Sequence, residues 1–348
     1  MKHSILFSFA FLTLAAVSCD RVNNDPEVPE ATGYYVLNNG SWGNNDSNIA
    51  VYDPETKTVT TSAFSAANGV GLGDLGQDIL RVGDFIYIAV NGSQTVFVTD
   101  SDLKVIKAVT ASEGGVTLSP RCLTCGGGKV YVTYYDGYLG EIDPETFAVR
   151  VTPVGPNPDG CAYLNGKVYV ANSGGYLYPV YNNTVSVVDC ASFKEVSTIT
   201  VNDNPALVKA YGTKVYVSSF GNYATTAPMI QCIDTVTGSV TDTGYDSPSS
   251  MDICGDRLYV LCAGYDENWN VKPGSVFVHD AARNTRVGEL ITDGTALNDS
   301  YSISATNEFI FIGCSNYVNF GDIFVISVSD GKLYDKFDSQ GLNPQRVI

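Results

Sequence analysis

Three features of this 348-residue chain predict an all-β fold, a seven-bladed β-propeller with four-stranded blades. The first is a fixed register. A landmark residue lies eleven positions before an aromatic at Gly76 and Tyr87, Pro120 and Tyr131, Pro158 and Tyr169, Pro205 and Tyr216, Pro248 and Tyr259, with Ser300 and Phe311 as a further instance. The second is a short turn at one offset inside each copy: Gly83-Asp84, Gly127-Gly128, Asn165-Gly166, Gly212-Thr213, Gly255-Asp256 and Asn307-Glu308. Such pairs between alternating apolar runs mark β-hairpins, because two-residue primed turns need positive φ. The third is composition. Only 16% of residues are charged, while 34 Gly and 22 Tyr favour many short strands joined by turns. One register repeated with variable spacing outside it means stacked copies of one sheet.

Taken in chain order, Lys2 and His3 precede an apolar stretch over residues 5–17 that is too short for a stable membrane span. It ends in Ala16-Val17-Ser18-Cys19, which is similar to a bacterial lipobox. Residues 1–18 are therefore expected to be a lipoprotein signal peptide, with Cys19 lipidated and anchored in a bilayer. An ordinary secretory signal carrying a chance Cys is the alternative. Residues 19–32 hold acidic residues and prolines and are expected to form a flexible tether. The propeller is expected over 33–348. Each unit reads as strands A to D: in unit four, 160–164, 167–172, 183–189 and 195–201. Strand C usually ends in Asp before a polar turn, as in Asp53-Pro54-Glu55-Thr56 and Asp143-Pro144-Glu145-Thr146. Unit one opens directly at strand B (Gly33-Tyr34-Tyr35-Val36) and has no strand A of its own. Residues 343–348 carry the Asn-Pro lead-in seen at Asn204-Pro205 and read as the missing strand. The C-terminal strand thus completes blade one, closes the ring and removes two open sheet edges.

The net charge of -17, with no Lys/Arg cluster, argues against a nucleic-acid partner. Eight cysteines follow Cys19 and mostly fall in apolar strands, where a thiol acts as a small hydrophobe. Cys122-x-x-Cys125 resembles half a zinc or redox motif without a second pair at ligand spacing, so core packing is expected there. Cys262 and Cys314 share one blade position in neighbouring blades and are the best disulfide candidates.

In a propeller the A–B and C–D turns lie on one face, and the B–C and D–A loops on the other. Here the first set is short and monotonous, whereas the second is varied and rich in aromatic and amide side chains. The expected ligand contacts are Trp42, Tyr135, Tyr176, Tyr223, Tyr265, Trp269 and Tyr317 as rings. Asn38, Asn91, Gln94, Asn222 and Gln345 are the expected polar partners. Just after each strand-A start, Gln77 and Asp78, Arg121, Asp159, Ala206, Ser249, Tyr301 and Gln345 should line the inner mouth. Rings with amides suit a large, flat ligand carrying amides or hydroxyls rather than a phosphate-rich one, since Arg121, Lys272 and Arg346 are the nearby cations. Exposed Tyr and Asn loops without any central ligand are the competing explanation. Asp78 and Asp159 are read as solvated channel carboxylates, with a cation site as the alternative.

No catalysis and no catalytic cofactor or metal are expected. The one histidine after the signal, His279, lies inside a strand-C run, and no nucleophile–His pair or glycine-rich phosphate loop is present. The Tyr-Val strand B, the Asp-Pro-Glu-Thr turns and the Asn-Pro lead-ins resemble the YncE-like seven-bladed propellers. With the lipobox and Leu37-Asn38-Asn39-Gly40-Ser41-Trp42-Gly43, the chain resembles the BtuG-type surface lipoproteins of the Bacteroidota. That resemblance covers roughly residues 33–348. It implies an outer-membrane protein facing the cell surface that captures cobalamin and related corrinoids as transported ligand. It also implies delivery to a BtuB-type TonB-dependent transporter. The chain lacks the Asp-x-His-x-x-Gly motif by which many cobalamin-dependent enzymes ligate cobalt, which fits a carrier. A glycan-binding surface propeller and, further off, a propeller hydrolase or lactonase are the alternatives.

Overall fold

The computed structural model describes residues 33–265 and 271–348. The expected signal peptide, Cys19, the tether and Trp269 lie outside the described residues. Seven four-stranded antiparallel sheets form a propeller, each with its strands in the order A-B-C-D from the centre outward. Blade one takes strand A from the C-terminus: Pro344–Val347 pairs with Tyr34–Asn38, placing Val347 opposite Val36 and Arg346 opposite Leu37. The expected ring closure is the observed one.

The hairpin turns follow from their residues. Gly127 and Gly128, and likewise Asn165 and Gly166, both take positive φ, the pattern of a type I′ turn. Gly83, Gly212 and Gly255 do so at the first position alone, as a type II′ turn requires. Blade seven keeps the two-residue span, Asn307-Glu308, but without glycine. Ala305 faces Ile310, and Thr306 N–H donates to the Phe309 carbonyl at 2.9 Å. The Phe309 N–H in turn donates to the Thr306 hydroxyl at 3.0 Å, which closes the turn.

The strand-B aromatics Tyr35, Tyr87, Tyr131, Tyr169, Tyr216, Tyr259 and Phe311 are all buried, which explains their place in the repeat. Their rings fill the gaps between blades, and some hydroxyls reach the outer turn of the next blade. Tyr216 donates to the Ala281 carbonyl at 2.9 Å, and Tyr35 to that of Ser101. His279 is also core: buried, with Nδ1 3.1 Å from the Tyr245 hydroxyl and Nε2 3.0 Å from Asn284 Oδ1. Burial holds its pKa below the ordinary imidazole value. Cys262 and Cys314 are free thiols, so the expected disulfide between them is absent. Burial instead pushes both thiols up to about 12.

One joint recurs in all seven blades and orients the loop face. The first residue after strand B, or in blade six Ala263 within the longer strand Arg257–Tyr265, donates its N–H to the carbonyl just before strand A: Asn39 to Asn343, Asn91 to Leu75, Tyr135 to Ser119, Ser173 to Asn157, Phe220 to Asn204, Ala263 to Ser247, and Ser315 to Asp299. Six of these acceptor residues, all but Ser119, take left-handed φ between 46° and 59°. Asn and Asp tolerate that region best among residues with a side chain, which explains the Asn lead-ins. Two features were not anticipated: a short helix, Ala63–Asn68, and a small hairpin of Ser112–Glu113 with Val116–Thr117. Both sit in D–A connections, and the helix is seated by buried Phe64 against Phe97 at 5.3 Å.

Candidate functional site

Directly after the joint, every strand A carries a β-bulge: its register slips at Gln77, 121–122, 159–160, Ala206, Ser249, Tyr301 and Gln345. A bulge unpairs a residue and re-aims its side chain. Here it turns one side chain per blade toward the axis. Gln77, Arg121, Asp159, Ala206, Ser249, Tyr301 and Gln345 all line one central cavity of about 570 Å³, joined by Asp78 as expected. That volume lies in the range of small-molecule sites.

The cavity is charged but balanced. Arg121 holds Asp159 through two parallel bonds, Nε to Oδ1 at 3.1 Å and Nη2 to Oδ2 at 2.9 Å. Burial works against the Arg121 charge, but the Asp159 carboxylate more than offsets it and keeps the guanidinium protonated. Deeper in, Asp252 accepts from Lys209 Nζ at 2.7 Å and Arg346 Nη1 at 2.8 Å. Asp78 takes the Leu123 N–H at 2.8 Å and stands 4.0 Å from Arg346. Asp159 is thus tied to a cation and Asp78 to a backbone donor, rather than paired around a metal. Among the described residues no group of three or more His, Cys, Asp or Glu is placed to hold a metal ion.

Aromatic rings rise above this floor. Tyr135 lies under the Arg121 guanidinium at 4.8 Å and meets Tyr176 edge-on at 4.9 Å. Tyr181 meets Tyr178 and Tyr223, and Tyr301 meets Tyr317 at 5.8 Å while donating to Gln345 Oε1 at 2.8 Å. Burial pushes the Tyr301 phenol up to about 12, so it remains a hydrogen-bond donor. Tyr176, Tyr223 and Tyr317 are 81%, 71% and 64% exposed. Tyr223 and Tyr317 also take left-handed φ, 58° and 63°. Tyr223 and Tyr317 thus hold large rings open to solvent on a backbone conformation that residues with side chains seldom take.

Of the expected contact residues, the cavity gathers Tyr223, Tyr317 and Gln345; Tyr135 lies against its lining residue Arg121 and meets Tyr176 edge-on. Trp42 is on the same face and 82% exposed but does not line the cavity. Tyr265 ends the strand Arg257–Tyr265. The expected amides are mostly structural. Asn38 is fully buried, donating to Asn48 Oδ1 and to the Ser339 carbonyl, because it faces the gap toward blade seven rather than the mouth. Asn91 donates to the Pro120 carbonyl and Gln94 to that of Thr117, tying blade two to blade three. Asn222 folds its own loop. Sequence reasoning missed Lys209 and Asn39, both of which line the cavity.

The family model described as "Domain of unknown function (DUF5074)" matches residues 32–241, from the start of the propeller into the outer strand of blade five. The chain belongs to this family. No curated protein matches this DUF5074 protein. Among solved structures it is similar to hydrazine synthase of Kuenenia stuttgartiensis, with a TM-score of 0.60 and 16% identity over 76% of this chain and 86% of that one. It is also similar to the computationally designed Ika8 protein, with a TM-score of 0.57 and 13% identity over 89% and 88%. At such identities the likeness shows the fold of this DUF5074 chain and nothing of its chemistry.

Proposed function

We propose that this protein is a surface lipoprotein, anchored in the outer membrane through Cys19, that captures cobalamin and related corrinoids and passes them to a BtuB-type TonB-dependent transporter. The observation that carries the reading is the set of exposed tyrosines gathered over one polar, charge-balanced cavity. A corrinoid presents a broad, flat, apolar rim bearing amide side chains. The rim matches rings that offer rigid area at low entropic cost. The amides match Gln77, Gln345, Ser249 and the Tyr301 hydroxyl. Because Asp159 and Asp252 pair with Arg121, Lys209 and Arg346, which leaves Lys272 as the further cation of the lining, the cavity favours neutral polar groups over a polyanion.

The test is direct. Purified protein is mixed with cyanocobalamin and corrin absorbance is followed through gel filtration, with co-elution expected. Colour eluting wholly as free vitamin would overturn the reading, and retention of an oligosaccharide instead would favour a glycan receptor. Replacing Tyr223 and Tyr317 together by Ala should weaken corrinoid binding by about 2 kcal/mol or more, the range for truncated aromatic anchors. Unchanged affinity would move the site elsewhere.

A further inference from the structure

The central cavity has a neighbour of different chemistry. Between the B–C loop of blade five and the start of blade six lies a cleft of about 330 Å³, walled chiefly by Phe220, Tyr223, Ala227, Pro228, Pro248 and Ala263. No charged residue lines it. Phe220, Tyr223, Ser249 and Ala263 line both spaces, so one wall divides a charged, polar chamber from an apolar one.

The dividing loop is built to hold its shape. The Asn222 carboxamide oxygen accepts the N–H groups of Ala224, Thr225 and Thr226, at 2.8 to 3.1 Å. The Thr226 hydroxyl donates to Asp203 at 3.0 Å, and Gly221 N–H to the Asp203 carbonyl at 3.0 Å. Gly221 takes φ 70°, and a Cβ there would meet the Thr226 carbonyl oxygen at 2.0 Å, so the loop requires glycine. The cleft is therefore formed before any ligand arrives.

We infer that this cleft is a subsite for an uncharged planar ring carried by the ligand whose polar body occupies the central cavity. An apolar cavity of about 150 Å³ already holds benzene, so the space here accommodates a fused bicyclic ring. Resting on the corrinoid reading above, the ring is the benzimidazole of the nucleotide arm, which cobalamin carries and cobinamide lacks. Tyr223 then serves both chambers: one face packs on the ring and the other borders the corrin.

Two measurements test the cleft and keep it distinct from the corrinoid reading. In the first, free 5,6-dimethylbenzimidazole at millimolar concentration is titrated against the protein by ligand-observed NMR. Binding is expected, with at least a tenfold loss in Ala227→Trp, which fills the cleft from an exposed position. Val236→Trp, a control at a 76% exposed site on the opposite face, should bind as wild type does. Absence of ring binding, or binding indifferent to Ala227→Trp, overturns the inference. In the second, affinities for cyanocobalamin and dicyanocobinamide are compared. Wild type should favour cyanocobalamin at least tenfold, and Ala227→Trp should erase that preference while leaving cobinamide affinity intact. Equal binding of the two by wild type overturns the subsite and leaves corrinoid capture standing. Ring binding with neither corrinoid bound overturns corrinoid capture and supports the cleft.

Discussion

Asp252 holds two cations at once. It is 1% exposed, accepts from Lys209 of blade five and Arg346 of the C-terminal strand, and takes the Ala305 N–H of blade seven at 2.9 Å. One carboxylate thereby ties together blades five, six, seven and one at the channel floor. Deleting one member of a buried ion cluster leaves the others desolvated and uncompensated, at a cost of about 3–5 kcal/mol. Asp252→Ala should lower the urea midpoint accordingly, whereas the Lys209→Met, Asp252→Leu, Arg346→Met triple variant should recover most of the loss. A midpoint unmoved by Asp252→Ala would show that the cluster holds nothing together. These positions were legible in principle. Lys209 and Asp252 each stand four residues after their landmarks Pro205 and Pro248, on the inward side of strand A. A Lys and an Asp at matching inner positions of adjacent blades form a charge pair, but that pattern emerges only when blades are compared side by side.

At the scale of the element, the C-terminal strand holds the ring closed. Its ties run to both neighbours: Tyr35 N–H donates to the Ile348 carbonyl, Ser302 Oγ to that of Pro344, and Val347 N–H to Ser304 Oγ. Removing residues 344–348 bares the edge of blade one at Tyr34–Asn38, strips its packing from blade seven and takes Arg346 out of the channel. The truncated protein should lose cooperative thermal unfolding and associate through its open edges, read by near-UV circular dichroism and light scattering. A monomer with an unchanged melting curve would contradict closure by this strand. That strand was readable because its Asn-Pro start repeats a pattern found elsewhere in the chain. The loops were less readable, for a physical reason. A short amide side chain binds a nearby backbone group as readily as a ligand, and Asn38, Asn91 and Asn222 all do so. The bulged residues were legible because backbone register, not side-chain chemistry, places them: Gln77, Arg121, Asp159, Ala206, Ser249, Tyr301 and Gln345 occupy one position in seven copies.

Across the whole molecule, the plain face and the buried interior impose opposite ends on the pH range of stability. The plain face carries a repeated aspartate turn. Lys129 holds the Asp143 carboxylate well below the usual range, the Thr56 hydroxyl lowers Asp53, and the Thr237 N–H, with Lys214, holds Asp234 at about 2. Asp189, Asp280 and Asp330 are lowered as well, and Asp293 is held at about 2, chiefly by the Thr295 hydroxyl. In the unfolded chain these groups titrate near about 3.9. Between that value and about 2 the unfolded state binds more protons, so stability rises with pH there. Their contribution is whole above about pH 4 and drains as the pH falls toward 2. On the alkaline side the signs reverse. Burial raises the Cys262 and Cys314 thiols and the Tyr301 phenol to about 12, while unfolded thiols and phenols ionise near about 8.5 and 10. Their contribution is whole below about pH 8.5 and is lost as the pH climbs through 12. Self-repulsion from a net charge of -17 at neutral pH tilts the plateau toward its acid end. The urea midpoint should therefore be broad and highest between about pH 5 and 8, fall below 4 and fall again above 9. An Asp143→Asn, Asp234→Asn double variant should fall less steeply on the acid side alone, since it lacks two of the titrating groups while keeping amides that can cap the same turns. If its acid limb is as steep as that of the parent, these turns do not set the acid limit.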